Sequence, residues 1–396
     1  MVVDTPVRHA HDNASAIAAV TATATKANHF PPMASPTRAH RPIISKMPNL
    51  GLLDALMRDQ SIGDILVNGI DSIYIDKQGK LVDSGLRFDT HDQVWEVAQC
   101  IVKSVGQTLS HERPMVDTRL PDGSRVNIVA PPMSVDGVSI SIRKFPSRQI
   151  TLSSMVQMGQ LTHELHHFLS ECVRTRLNII ICGGTGSGKT TLLNALSSAI
   201  PPEERVVTIE DSAELRLQQP HVVRLEARIS PSHDKAHQEV SIRDLVRNAL
   251  RMRPDRIIVG ESRGEEALDV LQAMNTGHDG SMTTLHANSP RDALSRLETM
   301  ISMAMPQLPV RLVRQQIAST VNLIINMERG SDGVRRIMHI SEISGLEGEV
   351  VIMQDLVVFT EGTPERPGHF RWSNSAPRNP LVTDAARLAG MMRAIR

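Results

Sequence analysis

Gly183-Gly184-Thr185-Gly186-Ser187-Gly188-Lys189-Thr190 decides how the larger part of this chain folds. The stretch satisfies the G-x-x-x-x-G-K-[ST] spacing, and its flanks pass the test that spacing requires. The apolar run Leu177–Cys182 precedes it as a strand, and Thr190–Ile200 follows as a helix that Pro201-Pro202 stops. The glycines at 183, 184, 186 and 188 let successive backbone N–H groups curl around phosphate oxygens, with Thr185 and Ser187 between them, and the helix N-terminus adds the positive end of its dipole. Lys189 supplies a point charge to the β- and γ-phosphates, Thr190 a hydroxyl for Mg²⁺, and Thr191 continues the cradle. No Asn-Lys-x-Asp segment follows to mark guanine specificity, so ATP with Mg²⁺ is the expected ligand pair.

Beyond the loop, short apolar runs at Val206–Glu210, Arg256–Val259 and Met282–Leu285 alternate with helical patterns, the signature of a parallel α/β sheet whose ligand lies at the carboxyl ends of its strands. Glu210 ends one such run, with Asp211 and Glu214 just beyond it, and Glu261 follows another. Carboxylates placed there can hold a metal's water shell or polarise an attacking water. His278 and His286 flank the last run, and both imidazoles are expected at the nucleotide edge, as sensors of the γ-phosphate or as structural hydrogen-bond partners.

Working back from the loop, Leu50 to Ile150 reads as a compact α+β domain spanning 47–150. Strands are expected at Ser72–Asp76, Pro114–Thr118, Arg125–Val129 and Val138–Arg143, with turns at Lys77–Lys80 and Pro121-Asp122-Gly123 and one amphipathic helix over Thr90–Val105. Thr151–Gln160 reads as a hinge, 161–360 as the ATPase domain, and 361–396 as an uninformative tail. Within the ATPase domain, Val350–Met353 and Leu356–Phe359 are expected to form a closing hairpin. Residues 1–46, rich in Ala, Thr, His and Pro, read as a disordered arm without the basic-then-apolar order of a secretory signal.

Composition narrows the function classes. The 43 basic and 43 acidic residues cancel and aromatics make up 2% of the chain, which disfavours a nucleic-acid partner. The three cysteines lack paired spacing, which disfavours a disulfide framework or structural zinc. No apolar run approaches the length of a membrane span, so any association with a membrane is expected only through partners.

Four segments together resemble the nucleotide boxes of the type II/type IV secretion ATPases. They are GGTGSGKTT at Gly183–Thr191, VVTIEDSAEL at Val206–Leu215, LRMRPDRIIVGESRG at Leu250–Gly264 and TGHDGSMTTLHAN at Thr276–Asn288. With LMRDQSIGDILVNG at Leu56–Gly69, the pattern looks most like the CpaF branch that serves tight-adherence (Tad/Flp) pili. The resemblance spans Leu50 to Phe359 and implies a RecA-like ATPase domain behind a small N-terminal domain. It further implies a homohexamer, peripheral at the cytoplasmic face of the inner membrane, acting on platform proteins there. Carried over by residue, Glu214 matches the general base, Glu261 the Walker B glutamate near the metal through water, and His278 and His286 the histidine box. Arginines of the N-terminal domain complete such sites. Arg125 and Arg143 come first because each lies in an expected strand, then Arg113 and Arg119. The rival implications are the ATPase of a conjugative or effector-delivering type IV system, and an ATP-sensing scaffold of low turnover.

Overall fold

The computed structural model describes residues 47–77, 80–145, 150–228, 239–330, 332–362 and 368–390. The expected arm over residues 1–46 lies outside the described residues, as do Gln78 and Gly79 of the expected turn. Of the described residues, Met47 and Pro48 precede the compact unit, which begins at Asn49.

The N-terminal domain opens with the short helix α1 (Asp54–Arg58), followed by strands β1 (Ile62–Asn68), β2 (Ser72–Lys77) and β3 (Lys80–Asp83). Helix α2 (His91–Ser104) precedes β4 (Met115–Arg119), β5 (Arg125–Val129) and β6 (Ser139–Arg143). The sheet runs β3-β2-β1-β6-β5-β4 and is antiparallel throughout. Thr90 starts α2 by accepting a hydrogen bond from Gln93 N at 3.3 Å, an N-cap worth about 1 kcal/mol. The helix then lays Val94, Ala98 and Ile101 on a core with Ile65, Ile73, Ile128 and Ile140. Alternation along each strand leaves the other sheet face polar. Cross-strand register sets Arg119 opposite Arg125, Arg125 opposite Arg143, and Arg143 opposite Asp64 on that open face.

The stretch expected as a hinge carries helix α3 (Leu152–Gln157). Thr151 and Ser154 close a reciprocal capping box, and Leu152 and Met155 are buried with Phe168 and Leu192. Ser153 and Ser154 suggest a loop by composition, but after Thr151 they start a helix.

The second sheet is built from β7 (Ile179–Gly183), β8 (Val206–Glu210), β9 (Val222–Glu226), β10 (Arg256–Val259), β11 (Met282–Leu285), β12 (Leu323–Arg329), β13 (Arg335–Glu347), β14 (Val350–Thr360) and β15 (His369–Trp372). Its order is β15-β14-β13-β12-β7-β11-β10-β8-β9. From β12 to β9 the strands are parallel, and from β12 to β15 antiparallel. Helices cover both faces, so the central strand is apolar on both sides. Ile179 and Ile181 of β7 enter one core, Ile180 and Cys182 the other. Each fully buried isoleucine contributes about 1.5–3 kcal/mol. Among the described residues no helix is long and apolar enough to cross a membrane.

One expectation near the end is corrected. Val350–Met353 and Leu356–Phe359 do not pair as a hairpin; they are halves of the continuous strand β14, which pairs with β13. The polar Gln354-Asp355 between them does not break the strand, because Ser341 Oγ donates to Asp355 Oδ1 at 2.5 Å. The tail also folds: β15 extends the sheet, and α10 (Pro380–Leu388) buries Val382, Ala385 and Ala386 in the core that holds Phe168, whose ring meets Trp372 edge-on at 5.5 Å.

Candidate nucleotide site

β7 ends in the glycine loop, and the close approach of β12 determines what its last residue can be. Gly183 has φ +153°, and a Cβ there would lie 2.2 Å from Met327 O and 2.6 Å from Ser187 Oγ. Only glycine fits. Helix α5 (Lys189–Ser197) starts behind Gly188, which has φ +101° and offers no side-chain cap, so its first amides remain for an outside acceptor. Lys189 is 7% exposed, and its Nζ donates to Gly183 O at 3.0 Å and Gly184 O at 2.9 Å. Burial holds its ammonium below the usual lysine range, with Glu261 opposing. Ser187 Oγ is buried without a partner. A glycine cradle, uncapped helix amides, a buried ammonium and an orphaned hydroxyl fit a polyphosphate anion. Thr185 and Gly186 stand exposed at the rim, while Thr190 and Thr191 are half-buried at the helix start.

Glu261 leaves the carboxyl end of β10 beside the loop. Its Oε2 accepts from Arg263 Nη2 at 2.6 Å, and Arg263 Nη1 lies 3.3 Å from Asp211 Oδ2. His286, just past β11, brings Nε2 to 2.9 Å from Glu261 Oε1, off the hydrogen-bonding direction, so that oxygen remains without a bonded donor. Burial first, then the Lys189 charge, pushes the His286 pKa down, which keeps its imidazole neutral near pH 7. Glu261 and the Thr190 hydroxyl fit a hydrated divalent cation.

Glu210 and Glu214 leave β8. Glu210 is 3% exposed, and its Oε1 accepts from Glu214 N and Leu215 N, each at 2.9 Å. Glu214 Oε1 accepts from Arg125 Nη1 at 3.0 Å, across from the N-terminal domain. Arg119 also crosses, donating to Ser212 Oγ and, at 3.0 Å, to Ala213 O, with Glu226 Oε2 at 3.4 Å. Arg216 N donates to Asn194 Oδ1 on α5 at 2.9 Å, which ties the Glu214 segment to the helix of the phosphate loop. The Arg216 guanidinium lies 3.8 Å over the Phe145 ring. Adjacent like charges across strands are destabilising. The row Arg119, Arg125, Arg143 stands because Glu226, Glu214 and Asp64 each meet one member.

Not every expected residue arrives. His278 precedes β11 and His286 follows it, so the strand's parallel direction puts them at opposite edges of the sheet, about 13 Å apart for a four-residue strand. The expectation that both histidines reach the nucleotide edge is therefore corrected. His278 Nδ1 lies 3.2 Å from Ala273 O, and its carbonyl accepts from Ser281 Oγ at 2.7 Å. That loop rests at the amino edge on Arg256, which is fully buried and pairs with Glu204 at 2.5 Å. Arg143 stays in its own domain, its Nε 3.1 Å from Asp64 Oδ1. Arg113 is exposed, and its backbone closes a turn with Ser110. Residues the motifs did not single out, Asn194, Arg224 and Glu226, hold the Glu214 segment. Only their strand and helix neighbours in space reveal them.

Glu210 carries a pH signature. Burial pushes its carboxyl from the ordinary 4.5 up to about 7. Between those values the unfolded chain has lost a proton that the folded chain keeps, so stability falls as pH rises, by about 1.4 kcal/mol per unit. The whole window amounts to about 3 kcal/mol. Glu210→Gln is expected to remove this contribution, so that its denaturation midpoint gains on wild type more at pH 8 than at pH 5. Equal differences at both pH values would overturn the assignment.

A family model described as type II/IV secretion system protein matches residues 48–332. A putative conjugal transfer protein of Mycobacterium tuberculosis is 35% identical over 316 residues, covering 78% of this chain and 89% of the relative. The type IV secretion system protein PtlH of Bordetella pertussis is 36% identical over 327 residues, covering 75% and 95%. Among solved structures, the pilus retraction motor PilT with bound ADP superposes with a TM-score of 0.54 at 20% identity, over 88% of this chain and 90% of PilT, a likeness of fold. With the glycine cradle, the strand-end carboxylates and the two-domain architecture in place, this chain belongs to the type II/IV secretion system protein family.

Proposed function

We propose that this chain hydrolyses ATP to ADP and phosphate as the homohexameric motor of a secretion or pilus machine. It would work at the cytoplasmic face of the inner membrane, through platform proteins. The observation that carries the reading is the convergence of Lys189, Glu261 and Glu214 at one sheet edge, with Arg125 of the N-terminal domain 3.0 Å from Glu214.

The chemistry is positioning and electrostatics. Lys189 and the α5 amides hold the phosphates, and Glu214 orients the attacking water and takes its proton. Arg125 is the charge placed to follow the γ-phosphate. Thr190 and, through water, Glu261 would hold Mg²⁺, which when bound neutralises charge developing on the phosphate oxygens. His286 reports on the same place through Glu261. Glu214→Gln keeps shape and hydrogen bonding but accepts no proton. It is expected to bind ATP normally while kcat falls about 10²-fold or more, read by phosphate release and nucleotide affinity together. Hydrolysis at the wild-type rate would remove Glu214 as the base, and wild-type turnover at background would favour the ATP-sensing scaffold.

Within the family we assign the chain to Tad/Flp pilus assembly, on the form of TGHDGSMTTLHANSPRDALSRLE at Thr276–Glu298 and of LMRDQSIGDILVNG. The similarity to a putative conjugal transfer protein and to PtlH favours a second reading, the ATPase of a conjugative or effector type IV system. Deleting the gene separates them. Loss of surface pili with DNA transfer and effector secretion intact supports the first, and the reverse supports the second.

A further inference from the structure

We infer that Glu210 is a positioning residue for hydrolysis, its buried carboxylate fixing the backbone that presents Glu214. The inference rests on the reading of Glu214 as the base. Residues 212–219 belong to neither helix nor strand, so no regular hydrogen-bond ladder holds them. Side chains hold them instead. Ala213 N donates to Glu226 Oε2 at 3.2 Å, and Ala213 O accepts from Arg119 Nη1 at 3.0 Å and Arg224 Nη2 at 3.1 Å. Glu214 N and Leu215 N, the two amides at the base itself, both go to the single oxygen Glu210 Oε1.

Glu210 differs from the other anchors in its burial. Its second oxygen, Oε2, is buried without a partner, and an ionised carboxylate in such a place opposes folding. Room for it comes from the neighbouring strand: a Cβ on Gly260 would lie 2.8 Å from Glu210 Cγ. The glycine before Glu261 thus makes space for the side chain that sets Glu214, which couples the two carboxylate-bearing strand ends through one contact. Here one buried carboxyl oxygen accepts from both amides at 2.9 Å, and small displacements of a catalytic group are costly in rate.

The test uses the full-length protein and a cycle of variants. Glu210→Ala is expected to lower kcat about 30-fold while nucleotide affinity changes less than about threefold. Glu210→Gln keeps a carbonyl acceptor and is expected to recover kcat to within about fivefold of wild type. Glu210→Asp keeps the carboxyl group but is too short to reach both amides, so it should stay slow. The deciding measurement is the double variant: with Glu214 already replaced by Gln, Glu210→Ala is expected to cost nothing more in kcat, because it acts through Glu214. A multiplicative loss in the double variant, or wild-type kcat in Glu210→Ala, overturns the proposal. If Glu210→Ala fails to fold, the contrast between Gln and Asp decides, and equal rates overturn it. Full activity of Glu214→Gln alone overturns the prior reading of the base, a result distinct from an active Glu210→Ala beside an inactive Glu214→Gln.

Discussion

Lys189→Ala is expected to reduce ATP hydrolysis about 10³-fold, to background, because Lys189 is the cation whose Nζ donates to the carbonyls of Gly183 and Gly184 inside the glycine loop. Its ammonium is buried, and its donors satisfy the Gly183 and Gly184 carbonyls. Those carbonyls border the phosphate cradle, so the substitution removes ligand charge and leaves both hydrophobic cores intact. Removing a buried cation also relieves its desolvation, which is why the melting temperature is expected to hold. Phosphate release, nucleotide affinity and thermal melting on one preparation check this. Near-normal turnover in a folded variant would end the phosphate-loop reading.

Arg125→Ala is expected to lower kcat about 10³-fold with nucleotide binding retained, the size seen for arginines that meet a γ-phosphate. Its ion pair with Glu214 leaves the two side chains 51% and 38% exposed, and such pairs add little to stability. A large loss of rate with little loss of stability is therefore the diagnostic combination. Arg143→Ala is the control, since Asp64 holds that side chain within the N-terminal domain. Wild-type turnover in Arg125→Ala beside a dead Arg119→Ala would transfer the role to Arg119, which also crosses between the domains.

How much of this was legible in one dimension depends on the range of the interaction. The strand Val206–Glu210, the strand Arg256–Val259, the strand Met282–Leu285 and the helix His91–Ser104 all lie where apolar spacing puts them, because local periodicity and turn chemistry are short-range. The glycine loop was readable for the same reason: its spacing encodes a backbone shape that only glycine permits. Val350–Phe359 reads as a hairpin from sequence because a polar pair in a long strand looks like a turn until its cross-strand partner, Ser341, is known.

The sequence by itself determined the glycine loop at Gly183–Thr190 and the order of strands and helices that makes a parallel sheet. Tertiary structure alone decided which residues share the site. The direction of β11 sends His286 to the edge that carries the glycine loop and His278 to the far one, a distinction eight positions of sequence cannot carry. The register of β4, β5 and β6 lines up Arg119, Arg125 and Arg143, yet only the docking of two domains selects Arg125 for Glu214. The burial of Glu210 beneath Gly260 follows from two strands adjacent in space and about 50 residues apart in the chain, and desolvation, the force that gives Glu210 its character, exists only once those strands have met.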